Sequence, residues 1–319
     1  MYPTLLAAVI AVAVAYALTP FVRSYAVAHG VVAHPGGRRV HTRPMPLMGG
    51  LAMYVAFVTA VVVAVALSAR LSFDRQTVGI LLGATLLAIV GLADDKYELP
   101  PWVQAASILV GGGVLVGFGV EILYVTNPFK GGHLMPLGKL SIPLTLVWIL
   151  MVTKAVDCMD GLDGLAAGIA AIAAGTLMLM ALSMGARFEI SAVTSAALMG
   201  AALGFLRFNY PPAKIFMGTV GAQFLGFTLA GVSVAGAFKI ATLVAVAAPV
   251  LILGVPLFDT TFVVLRRAVT GKKIHEADTS HLHHRLVNKG LSHRQTVWII
   301  YLLTMACCAA AYFLFSYVK

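Results

Sequence analysis

The sequence predicts an all-α polytopic integral membrane protein of about ten transmembrane helices, with both termini external, a short external hairpin and an active site on the cytoplasmic face. Three observations carry this prediction. Hydrophobic residues make up 60% of the 319 residues and charged ones only 11%, against roughly 25% charged in a soluble domain, and the mean hydropathy is +0.95. The apolar residues come in runs long enough for a hydrocarbon core of about 30 Å, which takes roughly 20 helical residues. The ionisable residues gather in alternate connecting segments.

Apolar runs between polar breaks give candidate spans at about 2–22, 47–68, 77–93, 102–119, 142–158, 162–184, 189–206, 219–236, 240–265 and 296–317. The first run precedes any basic residue and lacks the charged start of a signal peptide, so it reads as a retained span. Between Glu121 and Pro143, Asn127-Pro128 and Gly131-Gly132 mark the external hairpin. No internal repeat is visible, and residues 1–319 read as one integral membrane domain. Cys307 and Cys308 are neighbours in an apolar run and Cys158 lies far away, which excludes a disulfide framework.

An even number of spans returns both termini to one side and sorts the connections into two sets. Segments 23–46, 94–101, 154–164, 207–218 and 266–295 hold most of the Lys and Arg; the others hold Arg70, Arg75, Lys130, Lys139, Arg187, Lys239 and Lys319. The positive-inside rule makes the first set cytoplasmic. All the acids except Asp74, Glu121 and Glu189, and all the histidines except His133, fall on that same side. The rule has no reason to collect Asp and His, whereas a site for phosphate chemistry has one.

Four constellations carry chemistry there. Asp94-Asp95-Lys96 ends the third span, and paired carboxylates at a helix end can hold Mg²⁺ or take a proton from a phosphate. Asp157, Asp160 and Asp163 recur at spacings of three beside Gly161 and Gly164; acids at membrane depth need a cation, a polar ligand or water. Asn209, Lys214, Phe216, Gly218 and Gly221 form a proline-rich loop running into a helix start, where backbone amides could cradle a nucleotide phosphate. His281, His283, His284 and Arg285 suit a pyrophosphate, and their spacing is not that of a zinc protease. Arg38, Arg39, His41 and Arg43, ahead of Gly49-Gly50, add basic groups for a phosphate or for membrane lipid headgroups. A net charge of +10 fits anionic lipids and phosphorylated substrates; no basic, aromatic-interleaved soluble domain points to nucleic acid. A membrane transporter is the rival class, although its ionisable groups would lie near the midplane at repeat-related broken helices.

Taken in order, PMPLMGG, LADDKYELP, DGLDGLAAG, FNYPPAKIFMG, GVPLFDTTFVVLRR and SHLHHRL resemble, nearly end to end, the polyprenyl-phosphate N-acetylhexosamine-1-phosphate transferases of bacterial cell-wall synthesis. SHLHHRL looks more like the branch that primes teichoic acid, O-antigen or arabinogalactan synthesis than the branch using a muramyl-pentapeptide nucleotide. The resemblance implies a multi-pass bacterial plasma-membrane enzyme with cytoplasmic catalytic loops. It would transfer sugar-1-phosphate from a UDP-N-acetylhexosamine, such as UDP-N-acetylglucosamine, to polyprenyl phosphate, releasing UMP, with Mg²⁺ or Mn²⁺ as cofactor and a homodimer as the expected assembly. It assigns Asp94 and Asp95 to the lipid phosphate, Asp160 and Asp163 to the vicinity of the nucleotide, Asn209 and Phe216 to the nucleoside pocket, and His281, His283 and His284 to the pyrophosphate. Arg43, Lys214 and Arg285 are expected to bind substrate, and Asp259 falls on a family position without an assigned role.

Three positions depart from the family pattern: Lys154 and Asp157 stand where Asn is usual, and Thr219 stands where the family has its metal-binding Asp. Three readings follow. Asp157 and the Thr219 hydroxyl could together form the metal site, since Ser or Thr ligates Mg²⁺ in phosphate-binding loops. The Lys154 ammonium could partly stand in for the metal. Or the chain could bind substrates with impaired transfer.

Overall fold

The computed structural model describes residues 2–33, 44–126, 134–235, 244–270 and 280–318. Helix α1 (Tyr2–Ala28) is followed by a two-residue pairing of β1 (Val32–Ala33) with β2 (Met45–Pro46). Then come α2 (Gly49–Ala66), α3 (Arg75–Tyr97), α4 (Pro101–Gly117) and an antiparallel hairpin of β3 (Tyr124–Thr126) and β4 (Leu134–Pro136). The remainder is α5 (Ser141–Cys158), α6 (Leu165–Ser183), α7 (Glu189–Asn209), α8 (Gly218–Ala235), α9 (Val244–Ile252), α10 (Gly254–Thr270), α11 (Leu282–Asn288) and α12 (His293–Val318). The protein is an all-α polytopic membrane protein.

Eight of these helices, α1, α2, α3, α5, α6, α7, α8 and α12, are long and apolar enough to cross a membrane, and α4 is a shorter apolar helix. The predicted span 240–265 is not one helix: α9 ends at Ile252 and α10 begins at Gly254. Pro256 explains the break, because it has no N–H for the Ile252 carbonyl one turn earlier. That carbonyl instead lies 3.8 Å from the Cys308 thiol of α12. Residues 240–243 of the predicted span lie outside the described residues. The hairpin expected between Glu121 and Pro143 is present as β3–β4, with Asn127-Pro128 and Gly131-Gly132 outside the described residues.

Helix ends follow local chemistry. Asp74 Oδ1 accepts the Thr77 N–H at 2.8 Å and caps α3. At its other end, Glu98 takes a left-handed conformation with φ 51°, and Pro101 opens α4 at a position where its missing N–H costs nothing. Asp94 and Asp95 therefore lie in the last turn of α3, not in the loop beyond it.

Among the spans α8 is the most enclosed and α1 the least. Helix α8 packs against α3, α5 and α2, while α1 covers α7 and α2 from outside. In lipid the association of helices rests on close packing rather than on the hydrophobic effect, so small residues sit where backbones meet. A Cβ on Gly50 would overlap the backbone of Gly221, so α2 and α8 touch through their main chains at that point. Val substitution at Gly50 should destabilise the fold by about 1–3 kcal/mol or prevent it. Gly113 of α4 faces open space and is the control. Size-exclusion thermostability in detergent would test this, and equal midpoints for Gly50→Val and Gly113→Val would refute the close approach.

Candidate active site

The site end of the bundle is knit together by backbone groups that the apolar helices cannot satisfy. Asn209, the last residue of α7, is 2% exposed. Its Oδ1 accepts the Gly164 N–H and its Nδ2 donates to the Ile215 carbonyl, each at 3.0 Å. Asp163 Oδ2 accepts the Ala213 N–H at 2.8 Å. From α12, the Tyr301 hydroxyl donates to the Gly164 carbonyl at 2.6 Å and Arg294 Nε to the Pro211 carbonyl at 3.2 Å. The DGLDG turn and the FNYPPAK loop thus hold each other, and both ends of the Asn209 amide take part.

The start of α8 is held in a similar way. Phe216 N–H donates to the Pro46 carbonyl, and the N–H groups of Gly49 and Gly50 donate to the carbonyls of Phe216 and Met217. Gly218, at φ +69°, makes the turn into the helix, and a Cβ there would strike the Asp95 carboxylate. Asp95 Oδ1 accepts the Thr219 N–H at 2.7 Å, and its buried Oδ2 has no partner. The sequence pointed to Gly218 and Gly221 as a phosphate cradle. Here the Thr219 amide is taken by Asp95, and Gly221 packs against Gly50 and Met53.

Asp94 is oriented from two sides: its Oδ1 accepts the Leu99 N–H and Gln104 Nε2, each at 2.9 Å. The Gln104 Oε1 accepts Lys154 Nζ at 2.8 Å, and the same ammonium pairs with Asp157 Oδ2 at 2.9 Å. Gln104 is a residue that motif reading missed; the signal available was a lone carboxamide in the apolar helix α4.

The structure gives Asp259 a partner. Its Oδ1 accepts the Leu282 N–H and its Oδ2 the His281 Nδ1–H, each at 2.7 Å. This fixes the His281 tautomer with Nε2 unprotonated when the ring is neutral. His283 is 1% exposed, neither ring nitrogen has a partner, and its Nε2 lies against Gly161. Burial, then the neighbouring His284 and His281, lower its pKa to about 3. Asp160 is pushed well above the ordinary carboxylate range by burial, then by Asp157, Asp95 and Asp163.

These groups surround a cavity of about 1130 Å³ lined by Asp94, Asp95, Asp157, Asp160, Asp163, Asn209, Lys214, Phe216, Thr219 and His284, with Arg23 and Glu98 as additions to which motif reading assigned no role. His281, His283 and Arg285 are not part of that lining; the Arg285 guanidinium lies 5.4 Å from the Phe262 ring centre. Arg43 lies outside the described residues, with Arg38, Arg39 and His41. Among the described residues no three His, Cys, Asp or Glu side chains converge as a ready-made metal cage. Mg²⁺ does not need one: it binds through one or two carboxylates, keeps water, and takes substrate phosphates as further ligands. The unpartnered Asp95 oxygen and the all-oxygen donor set fit such an ion.

Residues 77–237 match the family model described as glycosyl transferase family 4. The chain is 40% identical over 286 residues to the probable undecaprenyl-phosphate N-acetylglucosaminyl 1-phosphate transferase of Bacillus subtilis (strain 168), covering 90% of this chain and 78% of that protein. The chain belongs to glycosyl transferase family 4. It is 35% identical over 312 residues to the decaprenyl-phosphate N-acetylglucosaminephosphotransferase of Mycolicibacterium smegmatis, covering 91% and 76%. A phospho-N-acetylmuramoyl-pentapeptide-transferase of Shouchella clausii is 30% identical over 260 residues, 76% and 75% of the two chains. Within this family 4 enzyme the matched segment runs from α3 to just beyond α8 and takes in Asp94, Asp95, the DGLDG turn, Asn209 and Thr219. Asp259 and the histidines follow it.

His283 yields a pH prediction. The folded ring stays neutral down to about 3, whereas the unfolded ring takes a proton below 6.5. Its contribution is therefore fully present above pH 6.5 and lost as pH falls toward 3, with a slope of up to about 1.4 kcal/mol per pH unit. His283→Leu should remove that component from the pH dependence of detergent unfolding. An unchanged slope would assign it to another group.

Proposed function

We propose that this family 4 enzyme transfers N-acetylglucosamine-1-phosphate from UDP-N-acetylglucosamine to polyprenyl phosphate, giving polyprenyl-diphospho-N-acetylglucosamine and UMP. The observation that carries the reading is one cavity in which the α3 carboxylate pair, the DGLDG turn and Lys214 meet at the end of an apolar bundle. One reactant is lipid-soluble and the other is a water-soluble nucleotide, so the reaction needs a site at such a boundary. The names of the relatives agree in lipid and sugar.

In this reading an oxygen of the lipid phosphate attacks the sugar-bearing phosphorus, and UMP leaves. Asp94, held by Gln104 and Leu99 through Oδ1, keeps Oδ2 to orient the lipid phosphate or accept its residual proton. Lys214 and His284 stand on the lining to meet the nucleotide phosphates, and Phe216 offers a face for the base. Asp163 and Asn209 act as positioning residues through the loops they tie, and Asp160 lines the wall between them. Asp259 orients His281 behind the cavity, and Arg285 lies within α11. Asp157, Thr219 and the Asp95 oxygen would hold Mg²⁺ or Mn²⁺, which supplies positive charge to the diphosphate. We take the site end as cytoplasmic, both termini as external, residues 1–319 as one domain in a bacterial plasma membrane, and the assembly as a homodimer.

UMP release by purified protein in detergent, with UDP-N-acetylglucosamine and undecaprenyl phosphate, tests the activity. Asp94→Asn should lower turnover by about 10²-fold or more. Wild-type protein that binds the nucleotide sugar yet releases no UMP, and gains release in Thr219→Asp, would mean a binding protein. Uptake of the intact sugar nucleotide into proteoliposomes would mean a transporter.

A further inference from the structure

Six acids line the cavity, Asp94, Asp95, Glu98, Asp157, Asp160 and Asp163, against two Lys or Arg side chains, Arg23 and Lys214, with Asp163 tied to the Lys214 loop through the Ala213 N–H. A diphosphate entering it meets repulsion unless further cations stand near those acids. Lys214 follows α7 and Arg23 reaches over from α1, where its Nε donates to the Lys214 carbonyl at 3.0 Å. At the ends of α3 and α5 an ammonium, Lys154, stands directly behind this lining, bonded to the lining residues Gln104 and Asp157 without itself being part of it.

Lys154 is fixed by two cavity residues, Gln104 at 2.8 Å and Asp157 at 2.9 Å, and its side chain is 29% exposed. An ammonium has three donors, so these bonds leave one. The order of the chain is also directional: the ammonium takes the carboxamide oxygen of Gln104, which turns the amide nitrogen toward Asp94. A neutral side chain at Lys154 would leave that amide without its orienting partner. Helix-surface ion pairs three apart are common and worth little, but this one lies beside the reacting phosphates' cavity and is tied to a second helix.

We propose that Lys154 is a phosphate-binding residue: its remaining donor takes an oxygen of the nucleotide diphosphate, so that the acids of the cavity have a resident cation alongside any metal ion. The inference rests on the nucleotide-sugar reading above and assigns that site a further binding residue. Asp157 then has two duties, holding the ammonium through Oδ2 and offering its other oxygen to the cavity.

The test is calorimetric binding of UDP-N-acetylglucosamine to the full chain in detergent, in EDTA and in Mg²⁺. Lys154→Met should weaken binding in EDTA by about tenfold or more, the scale of one lost charge-assisted hydrogen bond, and Lys154→Arg should recover most of it. On the wild-type protein, amine-reactive labelling read by mass spectrometry should show Lys154 protected by the nucleotide sugar in EDTA while the exposed Lys96 is not. Lys154→Met that binds like wild type in EDTA, or labelling of Lys154 that ignores the ligand, overturns the proposal. Binding confined to Mg²⁺ with Lys154 unprotected overturns the lysine alone, whereas no binding in either buffer overturns the nucleotide-sugar reading and the lysine with it.

Discussion

The bond from the Thr219 N–H to Asp95 Oδ1, at 2.7 Å, fixes where the site can be. It joins the last turn of α3 to the first turn of α8, the most enclosed span. The start of a helix carries partial positive charge and unpaired amides, so a carboxylate placed there is stabilised by about 0.3–1 kcal/mol. Because Gly218 has no side chain, the carboxylate comes right up to the turn. The consequence is chemical as well as structural. One oxygen of Asp95 accepts the Thr219 N–H, and the other is buried against Gly218 without a hydrogen-bond partner. Pinning α8 in this way also sets the height of Met217 and Phe216, onto which the 46–50 segment docks through three backbone hydrogen bonds.

Most of the site was legible in the sequence because membrane proteins place so few polar residues without cause. Asp94, Asp95, Asp157, Asp160 and Asp163 stood out against apolar flanks, and all line one cavity. What was not legible is which atom serves which partner. Asn209 bonds Gly164, Ile215 follows in the next loop, and Asp259 reaches His281 across 22 positions of sequence. Such pairings depend on how helices cross, which periodicity does not encode. The α9–α10 break was masked for another reason: Pro256 sits inside an unbroken apolar run, and hydropathy does not register a missing N–H.

The electrostatics of the site follow from its position at the end of an apolar bundle. Carboxylates there are partly removed from water, and each raises the cost of ionising the next. Asp160 shows the result, its carboxyl driven upward by burial and three neighbours. A cation lowers that cost for the whole group. The fold supplies one as Lys154, bonded to Asp157. A divalent ion drawn to the Asp95 oxygen would act in the same direction.

Helix α10 links this polar end to the lipid. Asp259 and Arg267 are buried on one side of it, while Phe258, Phe262, Leu265 and Val269 are exposed. The same short helix therefore holds His281 with a carboxylate and presents an aromatic and aliphatic face outward. The Arg285 guanidinium over the Phe262 ring closes the seam between them. The break after α9 makes α10 a separate element, one side of which keeps Asp259 and Arg267 buried while the other leaves Phe258, Phe262, Leu265 and Val269 exposed.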